Sequence, residues 1–387
     1  RKKPGARVTY HRREYTVEVA INALGLRDPE RGYQAPAGTL RVLALGDSFL
    51  EGYTVPLEQT VTQVLERELS AGGCPAQVIN AGTQAYSTDQ EYLFYRSEGV
   101  KYRPQVVAVF FYYNDVVYND RQEYFQTPKP IFEMGGGALR LHRYPVKPWD
   151  PAQAATEPPA ELAEDGGLGA QPRSGSEPAR SGGSPHGPSA GIHSRRSPPE
   201  GSALLEWARD RLWYGAPRAY NALARLGLWR PMPRMPIRLE LRVYERRREP
   251  IIEDAWAKTR AILRALAGEV RAAGGHLVLV GVPSRFEVDE RSWRLTRTLY
   301  GMEEEAWDRG QVMARLREIG AAESIPFLDL TAPLRAAEAP AYFTYDGHWT
   351  AAGHATAARA LRDTLRAQGW LAACAATART TPARTSP

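Results

Sequence analysis

Apolar and polar positions along this chain divide it into short buried strands separated by amphipathic helices. Val42 to Leu45 is an unbroken apolar run followed by Gly46-Asp47-Ser48, as in a strand covered on both faces. An amphipathic stretch, Gln59 to Leu69, comes soon after. Gln77-Val-Ile-Asn80 predicts a second strand, and Ala81-Gly82-Thr83 the turn that ends it. Ser87 to Glu98 reads as a helix, with Ser87 or Thr88 as cap and Asp89 and Glu91 in its first turn. Gln105 to Phe111 is a third strand, ending at Tyr112-Tyr113-Asn114-Asp115. Further on, Asp254 to Ala272 is a long amphipathic helix closed by Gly274-Gly275. His276 to Gly281 and Pro326 to Asp329 are the fourth and fifth strands, with a helix over Gln311 to Glu318 between them. Tyr342 to Trp349 is a loop, and Ala351 to Gln368 the last helix. Strands alternating with helices predict an α/β fold, a parallel sheet with helices on both faces.

The pattern breaks in two places. Residues 1–40 are polar and punctuated by Gly and Pro, with one half-exposed strand, Tyr15 to Ile21; they read as an arm over the core. The core then divides into 41–130 and 251–372, with an insertion over 131–250 and a disordered tail over 373–387. Within the insertion, 145–199 is rich in Pro, Gly, Ser, Ala and Glu. It has almost no large apolar residues, so disorder is expected. Residues 202–229 regain an amphipathic helical pattern studded with arginine.

Composition adds little. The net charge of +6 over 387 residues favours acidic surfaces only mildly. No stretch of about 18 apolar residues occurs. The opening Arg1-Lys2-Lys3 suits the flank of a removed signal or membrane anchor, and suits a trimmed chain equally. Cys74 and Cys374 are the only cysteines, either two free thiols or one disulfide. No metal-ligand cluster, phosphate-binding glycine loop or nucleic-acid module is present, so no metal, cofactor or nucleic-acid partner is expected. The basic insertion would contact an acidic glycan or a membrane surface, or be a solvated face.

Candidate chemistry stands at the carboxyl ends of the strands, where open α/β sheets place their sites. Ser48 follows the first strand, Gly82 the second and Asn114 the third, while Asp346 and His348 occupy the late loop. An unactivated serine needs a base. His348 can take the Ser48 proton while Asp346 fixes the tautomer. The N–H groups of Ser48 and Gly82 and the Asn114 amide are candidate donors to an oxyanion, each worth roughly 3–4 kcal/mol if well placed. Gly82 also lets backbones approach closely, having no Cβ. Other residues compete. Asp329 could orient the histidine in place of Asp346. His354 could replace His348, although its setting suits capping or packing. Asn114 could be an ordinary turn residue, and Asp47 suits capping of its own turn.

In order and context, Gly46-Asp47-Ser48, Asn80-Ala81-Gly82, Asn114-Asp115 and Asp346-Gly347-His348-Trp349 resemble the blocks of the SGNH (GDSL) hydrolase superfamily. The resemblance spans about 41–119 and 251–370. It implies a three-layer sandwich around a five-stranded parallel sheet of flavodoxin-like order, and a serine esterase or acyltransferase. Two departures narrow it: only Gly347 separates Asp346 from His348, and Tyr112 stands where the family usually has glycine. The Asp-x-His-Trp-Thr run and Pro283-Ser284-Arg285 look more like the bacterial polysaccharide O-acetyltransferases of the alginate-acetylation type. In that branch, however, the Asp-x-His pair typically precedes the serine. The expected substrate is thus a small acyl ester or an acetylated glycan, handled outside the cytoplasm behind an N-terminal signal or anchor. A catalytically idle glycan- or protein-binding relative, and a lipid esterase or lysophospholipase, are the alternatives.

Overall fold

The computed structural model describes residues 2–124, 127–135, 138–146, 208, 211–213, 216–229 and 235–371. The chain forms two compact units, residues 1–170 with 236–387, and residues 171–235. The expected disordered stretch 145–199, beyond Pro145 and Val146, and the expected tail 373–387 lie outside the described residues.

The larger unit is built on a parallel sheet. Its strands are β3 (Leu40–Gly46), β4 (Ala76–Asn80), β5 (Val106–Tyr112), β10 (His276–Val282) and β11 (Phe327–Asp329). Their order is β11-β10-β5-β3-β4, every pair parallel. All residues of β3 and β5 are buried, because helices cover both faces and no position along these strands meets water. On one face, helix Val61–Ala71 packs on helix Ala351–Ala367; elsewhere in the layers, helix Thr88–Ser97 packs on helix Pro250–Ala272. The last of these buries Ile252, Ala255, Trp256, Thr259, Ile262, Leu263, Leu266 and Val270. That spacing is the stripe of a helix lying on a core. Pro250 begins it, where a missing N–H costs nothing. Leaving β3, the chain forms β4 on one side and then crosses back to form β5 on the other. The carboxyl ends of β3 and β5 therefore flank the switch point of the sheet, where such folds leave a crevice.

Smaller elements surround the sheet. β1 (Arg7–His11) and β2 (Thr16–Ala20) form an antiparallel hairpin. Val17 and Val19 face inward from β2 and, with Ile21 and Tyr53, make a small apolar cluster separate from the main core. β6 (Glu123–Tyr124) pairs with β7 (Thr127–Pro128), and β8 (Ile131–Gly135) with β9 (Ala138–His142). From β8, Phe132 stacks on Tyr92 with ring centroids 5.4 Å apart. In the smaller unit, helix Pro217–Arg225 carries Tyr220, whose ring meets those of Trp213 at 5.2 Å and Trp229 at 6.3 Å.

Cys74 is disulfide-bonded. Cys374, the other cysteine of the sequence, lies outside the described residues. Among the described residues, no helix is long and apolar enough to cross a membrane.

Candidate active site

β3 ends at Gly46, and the next residues turn directly into a short helix, Ser48–Glu51. Asp47 caps it, its carboxylate accepting the Phe49 N–H at 2.9 Å. This is the structural role the sequence suggested for Asp47. Ser48 is the first helical residue, so its N–H has no partner within the helix.

Two turns of structure 300 residues apart meet at this hydroxyl. Ser48 Oγ lies 2.9 Å from His348 Nε2, and His348 Nδ1 lies 2.6 Å from Asp346 Oδ1. The same carboxylate oxygen accepts the His348 backbone N–H at 3.2 Å. Burial would raise the Asp346 pKa, but the charge and hydrogen bonds of His348, with a bond from Tyr15, hold it down to about 2. An ionised carboxylate can only accept, so His348 Nδ1 carries the ring proton and Nε2 is left to accept from Ser48. Ser48 and His348 are 1 % and 3 % exposed, so this line of bonds is shielded from bulk water. The Phe49 ring packs on the imidazole at 4.6 Å.

The competing residues are held elsewhere. Asp329 accepts the Thr331 N–H at 2.9 Å and pairs with Arg317 at 3.0 Å. His354 accepts the Val61 N–H at Nδ1, 3.2 Å away, and packs edge-on against Trp349. Burial pushes the His354 pKa down to about 3, so this imidazole is neutral.

The other two sites expected from sequence have different settings. Asn114 stands at the end of β5, buried, and its carbonyl accepts the N–H groups of Val117 and Tyr118 at 3.1 Å each. Gly82 follows β4, and its N–H donates to Asn80 Oδ1 at 2.9 Å. Asn80, fully buried, also donates to the Leu50 carbonyl at 3.1 Å. What Gly82 supplies is space: a Cβ there would meet Glu51 N at 2.3 Å and the Leu50 carbonyl carbon at 2.7 Å. On the same loop, Ala85 adopts φ of 65°, a left-handed conformation uncommon outside glycine.

Buried acids run between the turns of Ser48 and Asn114. Burial first, then the repulsion of Asp47, Asp89 and Asp115, push the Glu91 carboxyl well up; Asp115 is raised in the same way. Lys129 pairs with Asp89. Among the described residues, no three His, Cys, Asp or Glu side chains converge as a metal ion would need.

Three residues at the site carry no signal in the local sequence, and a fourth only through a family resemblance. Tyr15 donates to Asp346 Oδ2 at 2.7 Å, and the Tyr53 hydroxyl lies 3.2 Å from His348 Nδ1. The Glu14 carboxylate accepts the N–H groups of Thr344 at 2.7 Å, Tyr345 at 2.7 Å and Asp346 at 3.1 Å. From the other side, Arg285 donates to the Phe343 and Thr344 carbonyls. Of these, only Arg285 stands in a stretch with a family resemblance.

Comparison with known proteins gives one family match. Residues 243–387 match a family described as the SGNH hydrolase-like domain of acetyltransferase AlgX. The match includes Asp346 and His348 but not Ser48. No curated protein matches the chain. Among solved structures, the chain is similar to a lipase/acylhydrolase from Enterococcus faecalis, with 12% identity, TM-score 0.38, and coverage of 85% of this chain and 96% of that one. It is likewise similar to a catalytic mutant of Axe2, an acetylxylan esterase from Geobacillus stearothermophilus, with 12% identity, TM-score 0.38, and coverage of 84% and 93%. These two likenesses are too distant to bear on activity.

Proposed function

We propose that the chain is a serine-dependent acyl-ester enzyme, a hydrolase or O-acyltransferase, working on O-acetyl groups of a carbohydrate. One observation carries the reading: the continuous line Ser48 Oγ, His348 Nε2, His348 Nδ1, Asp346 Oδ1 at 2.9 and 2.6 Å. In the first half-reaction, Ser48 Oγ attacks the ester carbonyl while His348 Nε2 takes its proton. Asp346 stays ionised and stabilises the imidazolium. The developing oxyanion lies toward the Ser48 N–H and the Asn114 amide at the switch point. Gly82, its N–H committed to Asn80, contributes by letting its loop close on the helix that carries Ser48. His348 then returns the proton to the departing alcohol, leaving an acyl-serine. Water in the second half-reaction gives a hydrolase, and a sugar hydroxyl gives a transferase. The matched acetyltransferase family supports the choice of acetyl group. The disulfide at Cys74 supports a location outside the reducing cytoplasm.

The test is direct. A fluorophosphonate probe should label Ser48, and the protein should turn over p-nitrophenyl acetate. Adding a deacetylated polysaccharide separates the two outcomes, since a transferase acetylates the glycan while a hydrolase only releases acetate. Labelling at another serine, or none, would end the assignment, and glycan binding without turnover would favour an idle relative.

A further inference from the structure

The N-terminal hairpin reaches the proposed triad through three consecutive residues. Arg13, Glu14 and Tyr15 each grip the loop that carries Asp346. The Arg13 guanidinium sits 3.8 Å from the centre of the Tyr345 ring. Glu14 gathers three successive N–H groups, from Thr344, Tyr345 and Asp346. The Tyr15 ring packs on Phe343 at 5.1 Å and on Tyr53 at 6.4 Å. Its hydroxyl ends on Asp346 Oδ2.

The two carboxylate oxygens of Asp346 thus have separate tasks. Oδ1 serves His348 twice, at Nδ1 and at the backbone N–H. Oδ2 faces away from the imidazole and is held by Tyr15 at 2.7 Å. A carboxylate on a short side chain can rotate about χ2, a broad torsion. A donor on the outer oxygen stops that rotation and keeps Oδ1 on Nδ1.

We propose that Tyr15 is a positioning residue for the proposed triad: it fixes the Asp346 carboxylate and so sets the basicity of His348. This rests on the acyl-ester reading above. Burial, then the negative charge of Asp346, push the Tyr15 pKa up, so the hydroxyl keeps its proton across the working range and acts as a donor only. A bond to the ionised carboxylate spreads its charge and weakens its pull on the imidazolium. Other groups face this pair. Tyr53 lies near both Tyr15 and His348 Nδ1, Arg12 bears on Tyr15, and the neutral His354 bears on His348. Of these, only Tyr53 loses a contact when Tyr15 becomes phenylalanine, the bond it makes to the Tyr15 hydroxyl.

Tyr15→Phe keeps the ring contacts with Phe343 and Tyr53 and removes the hydroxyl, with its bond to Asp346 and the bond it receives from Tyr53. It should lower kcat roughly ten-fold, the scale of a hydrogen bond to a charged group, with KM nearly unchanged. The acid limb of the kcat/KM profile should move to higher pH, because the freed carboxylate holds the imidazolium more tightly. The ring titration of His348, followed by NMR in both proteins, should rise in the same direction whether or not an ester is turned over. An unchanged His348 titration midpoint in Tyr15→Phe would overturn the role of Tyr15. Absence of Ser48-dependent turnover in the wild type would instead overturn the functional reading, and leave the titration to decide the positioning role.

Discussion

Ser48→Ala should lower the rate of ester cleavage by about four to six orders of magnitude, and His348→Ala by a similar factor. The reason lies in how the pair shares one proton. Ser48 Oγ is a weak nucleophile until His348 Nε2, 2.9 Å away, accepts its hydrogen, and the imidazole has no proton to move without the serine. The double mutant should therefore be little worse than either single, since removing one member already idles the other. Turnover of p-nitrophenyl acetate, with active sites counted by fluorophosphonate, measures all three proteins. Losses that multiply in the double mutant would mean that the two residues act independently, and the triad reading would fall. Both side chains are buried, so a parallel thermal melt should accompany the kinetics to show that the fold survives.

The largest effect on stability is expected at Gly82. A methyl group there would lie 2.3 Å from the Glu51 nitrogen and 2.7 Å from the Leu50 carbonyl carbon. Both are backbone atoms of the short helix that begins with Ser48, so no side chain can swing aside. Gly82→Ala must push the helix and the Asn80 loop apart, at a cost of about 3 kcal/mol or more. The displacement would also carry Ser48 off line with His348, so kcat should fall with stability. The change is read as a drop in the urea midpoint, with the slope of the transition unchanged. A midpoint equal to wild type would show that the two backbones are not in contact.

Much of this arrangement was legible in the sequence, for local reasons. Buried parallel strands are continuous apolar runs, so β3, β5 and β10 announced themselves. Ser48, Asp346 and His348 lie in turns whose residue types are restricted by chemistry, and the structure brings the three together. Gly82 is legible as a glycine that permits close approach and as a candidate oxyanion donor; in the structure its N–H bonds Asn80 and the close approach is to the Leu50–Glu51 backbone, which no local pattern could indicate. Helix Glu290–Tyr300 and the β8–β9 hairpin escaped the pattern. The helix is dominated by polar and arginine residues, with Trp293 and Leu295 among its few buried apolar side chains. The arm escaped in a different way. Its alternation showed a strand, yet nothing near residue 15 points to residue 346, because the contact is made by folding across 331 positions. Arg27 is similar: it is buried in the arm and donates to the Glu51 carbonyl at 2.9 Å and the Val55 carbonyl at 2.6 Å, bracing the helix that begins with Ser48 from outside the sheet.

The hairpin of β1 and β2 buries only a small cluster of its own, Val17, Val19 and Ile21 with Tyr53. Two-stranded units of this kind are marginal by themselves and open more readily than the sheet they lie on. Glu14 and Tyr15, in the turn of that hairpin, hold the Asp346 loop. Heating should therefore abolish the proposed activity before the fold melts. Initial rates should fade several degrees below the loss of circular dichroism, and recover on cooling if the sheet has stayed intact. Superimposable inactivation and melting curves would mean that the hairpin and the sheet come apart together. A thermal limit set in this way belongs to the clamp rather than to the core, so a cross-link between the hairpin and the Asp346 loop would raise the working temperature while leaving the melting temperature almost where it was.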